Sequence, residues 1–157
     1  MQTLVFLAVN ASYAHASLAE WYLQGYADPA AWDWRTVEAN QADELHAVLA
    51  QVLEFEPAVL ATSVYLFNRA FVFALLRRFK ALRPEAVVIA GGPEFLGDNS
   101  GFLSAERCID AAVRGEGEVP FRSMLADMRS PGAWQGIRGF CGMVRGRYVD
   151  NGTAEAV

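Results

Sequence analysis

Short β-rich runs alternate with helical periods up to about residue 128, and this alternation is the feature that most restricts the fold. Runs of β-branched and aromatic residues predict five buried strands, and amphipathic stretches predict four helices. The strands are predicted at residues 3–9, 34–38, 58–64, 86–90 and 109–113, and the helices at residues 16–26, 43–54, 68–82 and 119–128. Strands that alternate with helices in this way predict a parallel sheet covered on both faces.

Right-handed crossovers between five such strands predict a flavodoxin-like three-layer α/β sandwich with a parallel sheet of order 2-1-3-4-5. The end of the chain differs, because residues 139–149 predict a β-hairpin that turns near Arg145 and Gly146. We therefore predict an α/β domain over residues 1–135, and a small hairpin with the start of a linker over residues 136–157. Ligands of such sheets bind outside the carboxyl ends of the strands, so the function is to be sought in the loops that follow them.

The composition is typical of a single domain with a hydrophobic core. Of 157 residues 54% are hydrophobic, which excludes disorder, and the net charge of −5 argues against nucleic acid or an anionic membrane as partner. Cys108 and Cys141 are isolated, so cysteines alone encode no disulfide framework, zinc site or cluster site. The amino-terminal segment lacks the basic region of a secretory signal, and the longest apolar stretch is interrupted by Asn68 and Arg69. These features predict a cytoplasmic protein.

Four ligand sites common in such folds do not match the loops. The loop after the first strand has no glycine, which excludes a P-loop. The nearest match to a dinucleotide motif starts at Gly115, follows the fifth strand and contains two glutamates that would repel a pyrophosphate. Ser12 and Ser17 are too few hydroxyls for a flavodoxin phosphate loop. A receiver domain needs acidic residues where Asn10 and Ser63 stand.

Small residues occupy the ends of the third and fourth predicted strands, at 61–63 and 90–93. Small side chains at neighbouring strand ends open a slot between sheet and helix. Large apolar residues are expected around it, namely Tyr13, Tyr65, Leu66, Phe67 and Phe95. A narrow slot beneath a broad apolar rim suits a flat macrocycle with a nucleotide-like tail. The alternative is a simple tight turn at 91–93, with the aromatic residues in the core or at a partner surface.

At these loops the sequence resembles the N-terminal cobalamin-binding domain of B12-binding radical SAM proteins, and most of all the group that carries a DUF4080 domain. Four segments carry the resemblance: 10–19 (NASYAHASLA), 63–68 (SVYLFN), 90–95 (AGGPEF) and 113–118 (VRGEGE). The resemblance implies a corrin ring across the carboxyl edge of the sheet and a dimethylbenzimidazole tail in the slot. It implies these cofactor-binding residues: Asn10, Ser12, Tyr13, His15, Ser63, Val64, Tyr65, Leu66, Asn68, Gly91, Gly92, Pro93, Glu94, Gly115, Glu116 and Gly117.

The first loop departs from a related pattern. Asn10 and Ser12 stand where methionine-synthase-like domains have the aspartate and the cobalt-binding histidine of an Asp-x-His-x-x-Gly motif. The resemblance therefore implies base-off cobalamin without a histidine ligand, and we predict no metal-ligating residue. His15, in the same loop, could contact cobalt, bond the corrin amides or the tail, or cap the following helix.

Charged residues near the fifth strand have two interpretations each. Glu116 and Glu118 could accept hydrogen bonds from cobalamin amides or begin the last helix, and the helix-starting role is favoured for Glu118. Arg114 could pair with an acidic neighbour.

The chain has no Cys-x-x-x-Cys-x-x-Cys motif for an iron–sulfur cluster. The resemblance therefore implies a cofactor-binding module with no catalytic residues of its own. A C-terminal radical SAM domain of the parent chain would carry a 4Fe-4S cluster and S-adenosylmethionine, for methyl transfer or another cobalamin-assisted reaction. Two alternatives stay open: a degenerate domain that only supports or docks the catalytic barrel, and a free-standing flavodoxin-like protein that binds a small molecule.

Overall fold

The structure is a computed structural model that describes residues 1–11, 17–128 and 131–155. Its strands are β1 (Gln2–Asn10), β2 (Trp32–Asn40), β3 (Val59–Ser63), β4 (Val87–Gly91), β5 (Ala111–Val113), β6 (Phe140–Val144) and β7 (Arg147–Asp150). Its helices are α1 (Leu18–Tyr26), α2 (Leu45–Glu54), α3 (Arg69–Leu82), α4 (Ser100–Ala105) and α5 (Glu118–Ala126), with 3-10 turns at Pro93–Phe95 and Pro131–Gly136.

The first five strands are parallel and have the order β2-β1-β3-β4-β5, as the sequence predicts. The predicted total of five strands is wrong, because the sheet has seven. The predicted hairpin, β6–β7, continues this sheet instead of standing apart from it. β6 pairs antiparallel with β5, where Phe140 lies opposite Val113 and Cys141 opposite Ala112. This pairing satisfies the backbone groups that an edge strand would leave open.

Two apolar cores cover the faces of the sheet. Alternate residues of each strand point to opposite faces, so Leu60 lies in one core and Val59 and Ala61 in the other. The first core contains side chains from α2, α3 and α4. The second contains side chains from α5, with Leu23 of α1 packed against it and Trp134 fully buried.

Local chemistry accounts for element boundaries that differ from the prediction. α1 starts at Leu18 because the Ser17 side chain caps it, accepting a hydrogen bond from the N–H of Glu20 at 3.3 Å. β5 has only three residues, and it starts after Asp110. The side-chain carboxylate of Asp110 accepts hydrogen bonds from the N–H of Val88 at 2.8 Å and from the Lys80 ammonium at 2.6 Å. The short helix α4 has no counterpart in the prediction. Among the described residues, no helix is long and apolar enough to cross a membrane.

Candidate functional site

Three neighbouring cavities lie at the carboxyl edge of the sheet. The β1 cavity has a volume of about 270 Å³ and is lined by residues 6–11, Ser17, Leu18, Ser63, Tyr65 and Phe67. The outer cavity, of about 430 Å³, is lined by Ala19, Tyr22, Leu23, Ser63, Tyr65, Gly92 and residues 115–118. The inner slot, of about 30 Å³, is lined by Phe6, Leu23, Ala61, Thr62, Ile89, Ala90, Gly91, Val113, Gly117 and Phe121.

The inner slot lies between the sheet and the helices α1 and α5, and its walls are apolar. The Thr62 hydroxyl is already bound, since it donates to the carbonyl of Leu7 at 2.9 Å. Two glycines keep the slot open. A Cβ on Gly91 would stand 3.9 Å from Val113 Cβ, and a Cβ on Gly117 would stand 3.4 Å from Leu23 Cδ2.

The outer cavity adjoins the slot, because Leu23 and Gly117 line both. Its volume is within the usual range for small-molecule sites, whereas the slot alone holds little more than a water molecule. A ligand at this edge could therefore place a larger group in the outer cavity and extend only a narrow apolar group toward the slot. The two cavities suit a ligand arm that is wide at its base and narrow at its end.

Gly91 and Gly92 have different roles. Gly91 lines the inner slot, while Gly92 lines the outer cavity. Gly92 has a φ of 102°, and a Cβ there would lie 2.6 Å from the carbonyl oxygen of Val64. The glycine is therefore needed for the close crossing of two backbones. Val64 itself is fully buried in the first core, and its N–H donates to the Gly91 carbonyl at 2.7 Å.

Asn68 joins the ends of β1 and β3 and is 1% exposed. Its Oδ1 accepts from the N–H of Tyr65 at 2.9 Å. Its Nδ2 donates to the carbonyl of Val9 at 3.0 Å and to that of Ser63 at 3.2 Å. Direct binding of a ligand by Asn68 stays a prediction, and the bonds present make it a clamp on the loop that carries Ser63 and Tyr65.

The acidic side chain of the loop after β4, Glu94, contacts the first residue of α3. Glu94 accepts from Arg69 Nη1 at 3.0 Å, and the Arg69 guanidinium also lies over the rings of Phe73 and Phe102, at 5.6 and 5.5 Å from their centroids. Pro93, one residue earlier, is exposed.

The loop after β5 contributes residues 115–118 to the outer cavity. Glu116 is exposed, and Gly115 has a φ of 86°. Glu118 is the first residue of α5, as the helix-starting interpretation expects. Arg114 pairs with an acidic neighbour, Asp150.

An apolar rim surrounds the cavities. Tyr65, Leu66 and Phe67 are exposed, with the rings of Tyr65 and Phe67 stacked at 5.5 Å. Phe95, which the sequence predicts in this rim, is buried at 1% exposure and packs against Phe102, so that expectation is wrong.

Helix α1 has three exposed apolar residues that were not predicted at the site: Leu18, Trp21 and Tyr22. The helix turns Leu23 toward the second core instead. The spacing of these apolar residues predicts the helix, but apolar residues surround much of α1 and do not identify its buried face.

The structure thus brings together Asn10, Ser63, Tyr65, Gly91, Gly92 and residues 115–117 around the three cavities. Ser12, Tyr13 and His15 lie outside the described residues, so their predicted part stays a prediction. Ala61 lines the slot, as its small side chain at a strand end predicts. The slot walls Val113 and Phe121 were missed, because in sequence they are ordinary core residues of a strand and a helix.

A parallel sheet with cavities outside the carboxyl ends of its strands defines an α/β domain that binds a small molecule or a cofactor. The family model of the B12 binding domain matches residues 4–125, and the chain belongs to this family. The predicted resemblance to cobalamin-binding domains is therefore confirmed. The narrower placement in the DUF4080 group stays a prediction.

A curated relative is similar to this chain in sequence, and two solved structures share its fold. The chain is 32% identical over 126 residues to the cobalamin-dependent radical SAM methyltransferase TokK of Streptomyces tokunonensis, covering 77% of this chain and 18% of TokK. The chain thus spans less than a fifth of that enzyme's length.

The two structures show the same fold at low identity. OxsB, a cobalamin-dependent S-adenosylmethionine radical enzyme with aqua-cobalamin and S-adenosylmethionine bound, matches with a TM-score of 0.81 and 11% identity over 99% of this chain and 23% of its own. The radical S-adenosylmethionine methyltransferase TsrM of Kitasatospora setae matches with a TM-score of 0.72 and 15% identity, over 97% and 30% of the two chains.

Proposed function

We propose that this chain is the cobalamin-binding module of a radical SAM enzyme and holds base-off cobalamin, without a histidine ligand, at the carboxyl edge of its sheet. The observation that carries the proposal is the outer cavity beside the apolar inner slot, within the region that matches the B12 binding domain. Each cavity suits one part of the nucleotide tail: the outer cavity its larger part, and the slot the end of its base.

Different described residues would contact different parts of the cofactor. Ser63, Gly92 and the loop 115–117 would line the nucleotide tail, since they surround the outer cavity. Gly91 would admit the end of the base to the slot. Tyr65 and Leu66 would lie against the corrin from the rim. When bound, cobalamin supplies a cobalt centre for methyl transfer or other cobalamin-assisted radical chemistry.

Asn10 supports the histidine-off assignment. It ends β1 and lines the β1 cavity with its neighbour Ala11, whose carbonyl accepts from Asn40 Nδ2 at 3.2 Å. An amide side chain at this position lacks the negative charge with which a carboxylate raises the basicity of a metal-binding imidazole.

The exposed rim supports a partner above the cofactor. Leu18, which lines the β1 cavity, is 64% exposed, and Tyr22, which lines the outer cavity, is 60% exposed. Apolar residues grouped at a cavity mouth are typical of an interaction surface. We propose that this surface faces a C-terminal radical SAM domain of the parent chain, which would carry the 4Fe-4S cluster and S-adenosylmethionine. We also propose that the protein is cytoplasmic and that its α/β domain ends at residue 135.

Anaerobic incubation with hydroxocobalamin, desalting and a visible spectrum test the binding. Wild-type protein and Gly97→Val should retain the corrin, because a Cβ on Gly97 would meet nothing within 4 Å. Gly91→Val should lose it, since its side chain fills the slot while a Cβ at this position meets only ordinary contacts. Wild-type protein that retains no corrin would refute the proposal.

A second spectrum tests the state of the cobalt. Bound cofactor should show the base-off form, and His15→Ala should leave that spectrum unchanged. A shifted band in His15→Ala would contradict the histidine-off assignment.

A further inference from the structure

The segment after β7 returns to the loop that lines the outer cavity. The N–H of Ala154 donates to the carbonyl of Arg114 at 2.8 Å, and the N–H of Glu116 donates to the carbonyl of Ala154 at 3.2 Å. These bonds make a parallel bridge between Gly115 and Ala154. The cavity loop is thus hydrogen-bonded on both sides of Gly115 to a residue from the far end of the fold.

Two glycines make room for Ala154, which is 7% exposed. Gly115 and Gly139 have φ values of 86° and 87°. A Cβ on Gly115 would lie 2.2 Å from the Ala154 oxygen, and one on Gly139 would lie 2.8 Å from Ala154 Cβ. The close approach of the three backbones therefore depends on both glycines.

Arg114 makes a second connection, through its side chain. Its Nη1 pairs with Asp150 Oδ2, and its Nη2 donates to the carbonyl of Leu96 at 2.9 Å. Asp150 also accepts from the Tyr148 hydroxyl at 3.1 Å. The side chains of Arg114 and Asp150 are 19% and 23% exposed, so solvent screens their pairing less than that of a surface ion pair. Arg114 thereby ties the end of β5 to β7 and to the loop after β4.

We propose that Arg114, Asp150 and Ala154 are positioning residues of the candidate cobalamin site, which hold the loops 92–96 and 114–117 in place before the ligand arrives. The inference rests on the proposed function. Asp150 and Ala154 lie beyond residue 125, where the match to the B12 binding domain ends. A loop that is ordered in advance loses less conformational entropy on binding, so affinity depends on these contacts even without contact to the ligand.

The test compares Arg114→Met with Asp150→Asn. Both variants break the ion pair, but only Arg114→Met removes the donor to the Leu96 carbonyl, while its side chain keeps the apolar packing of the arginine stem. The dissociation constant for hydroxocobalamin is measured by spectral titration at a temperature where both variants are fully folded. We expect Arg114→Met to bind about tenfold more weakly than Asp150→Asn, a difference of about 1.4 kcal/mol. Arg114→Lys should recover part of the affinity, because an ammonium can donate to the same carbonyl.

Hydrogen exchange of the Glu116 amide gives a readout that does not depend on the ligand. Ala154→Pro removes the donor to the Arg114 carbonyl and should speed this exchange and weaken hydroxocobalamin binding together. Wild-type affinity for hydroxocobalamin in both Arg114→Met and Asp150→Asn would overturn the positioning role while cobalamin binding stands. A wild-type protein that binds no hydroxocobalamin would overturn the proposed function itself, and with it this inference.

Discussion

Replacing Asn68 by alanine should loosen the candidate site and destabilise the whole fold. The amide makes three hydrogen bonds to backbone groups of Val9, Ser63 and Tyr65, and its side chain is nearly inaccessible to water. Alanine leaves those three groups without this partner. A buried hydrogen bond contributes about 1 kcal/mol net, so the loss should be about 3 kcal/mol.

The loss is large relative to a total stability of roughly 5–15 kcal/mol. For a domain of this size it corresponds to a fall in melting temperature of roughly 6–12 °C. Urea denaturation followed by circular dichroism measures it as a lower midpoint with an unchanged slope.

Asn40→Ala provides the control. Its amide donates to the carbonyl of Ala11 at 3.2 Å and accepts from the N–H of Ala42 at 2.9 Å, but at an exposed position where water can replace it. We expect that variant to lose about 1 kcal/mol or less. If Asn68→Ala is no less stable than Asn40→Ala, the three bonds do not hold the strand ends together and the clamp assigned to Asn68 is refuted.

Three further predictions follow from single contacts. Gly92→Ala should lower the free energy of unfolding by about 2–3 kcal/mol, because of its positive φ and its approach to Val64, and a denaturation midpoint equal to wild type would contradict this. Burial raises the pKa of the Cys108 and Cys141 thiols to about 11, so both thiols should resist alkylation at pH 8 until urea is added, and rapid alkylation of the folded protein would refute their burial. Because the pKa is raised in the folded state, the contribution of these thiols to stability is present at neutral pH and falls between pH 9 and 11. Leu66→Glu should change the melting temperature little, because that side chain is 80% exposed, and a large loss would show that the rim packs within this domain.

Much of the sheet could be predicted from local pattern. Continuous apolar runs such as that of β1 are typical of strands buried on both faces, and the alternation with helices predicts parallel strands in the observed order. The loops that form the site also follow from this topology, because the carboxyl ends of parallel strands meet at one edge. Gly91 and Gly92 therefore line cavities at the predicted edge, although the sequence does not separate the residue that lines the slot from the one that lets two backbones cross.

Periodicity along the chain is enough to predict the repeated strand and helix units and the edge of the sheet where the candidate site lies. Contacts in the folded protein show in addition that β6 joins β5, that α1 exposes Trp21, and that Ala154 closes on Gly115. These features are contacts between segments distant in sequence, or a choice between two apolar faces of one helix. Their free energy comes from surfaces and hydrogen bonds that exist only after the sheet has formed, so no local pattern encodes them.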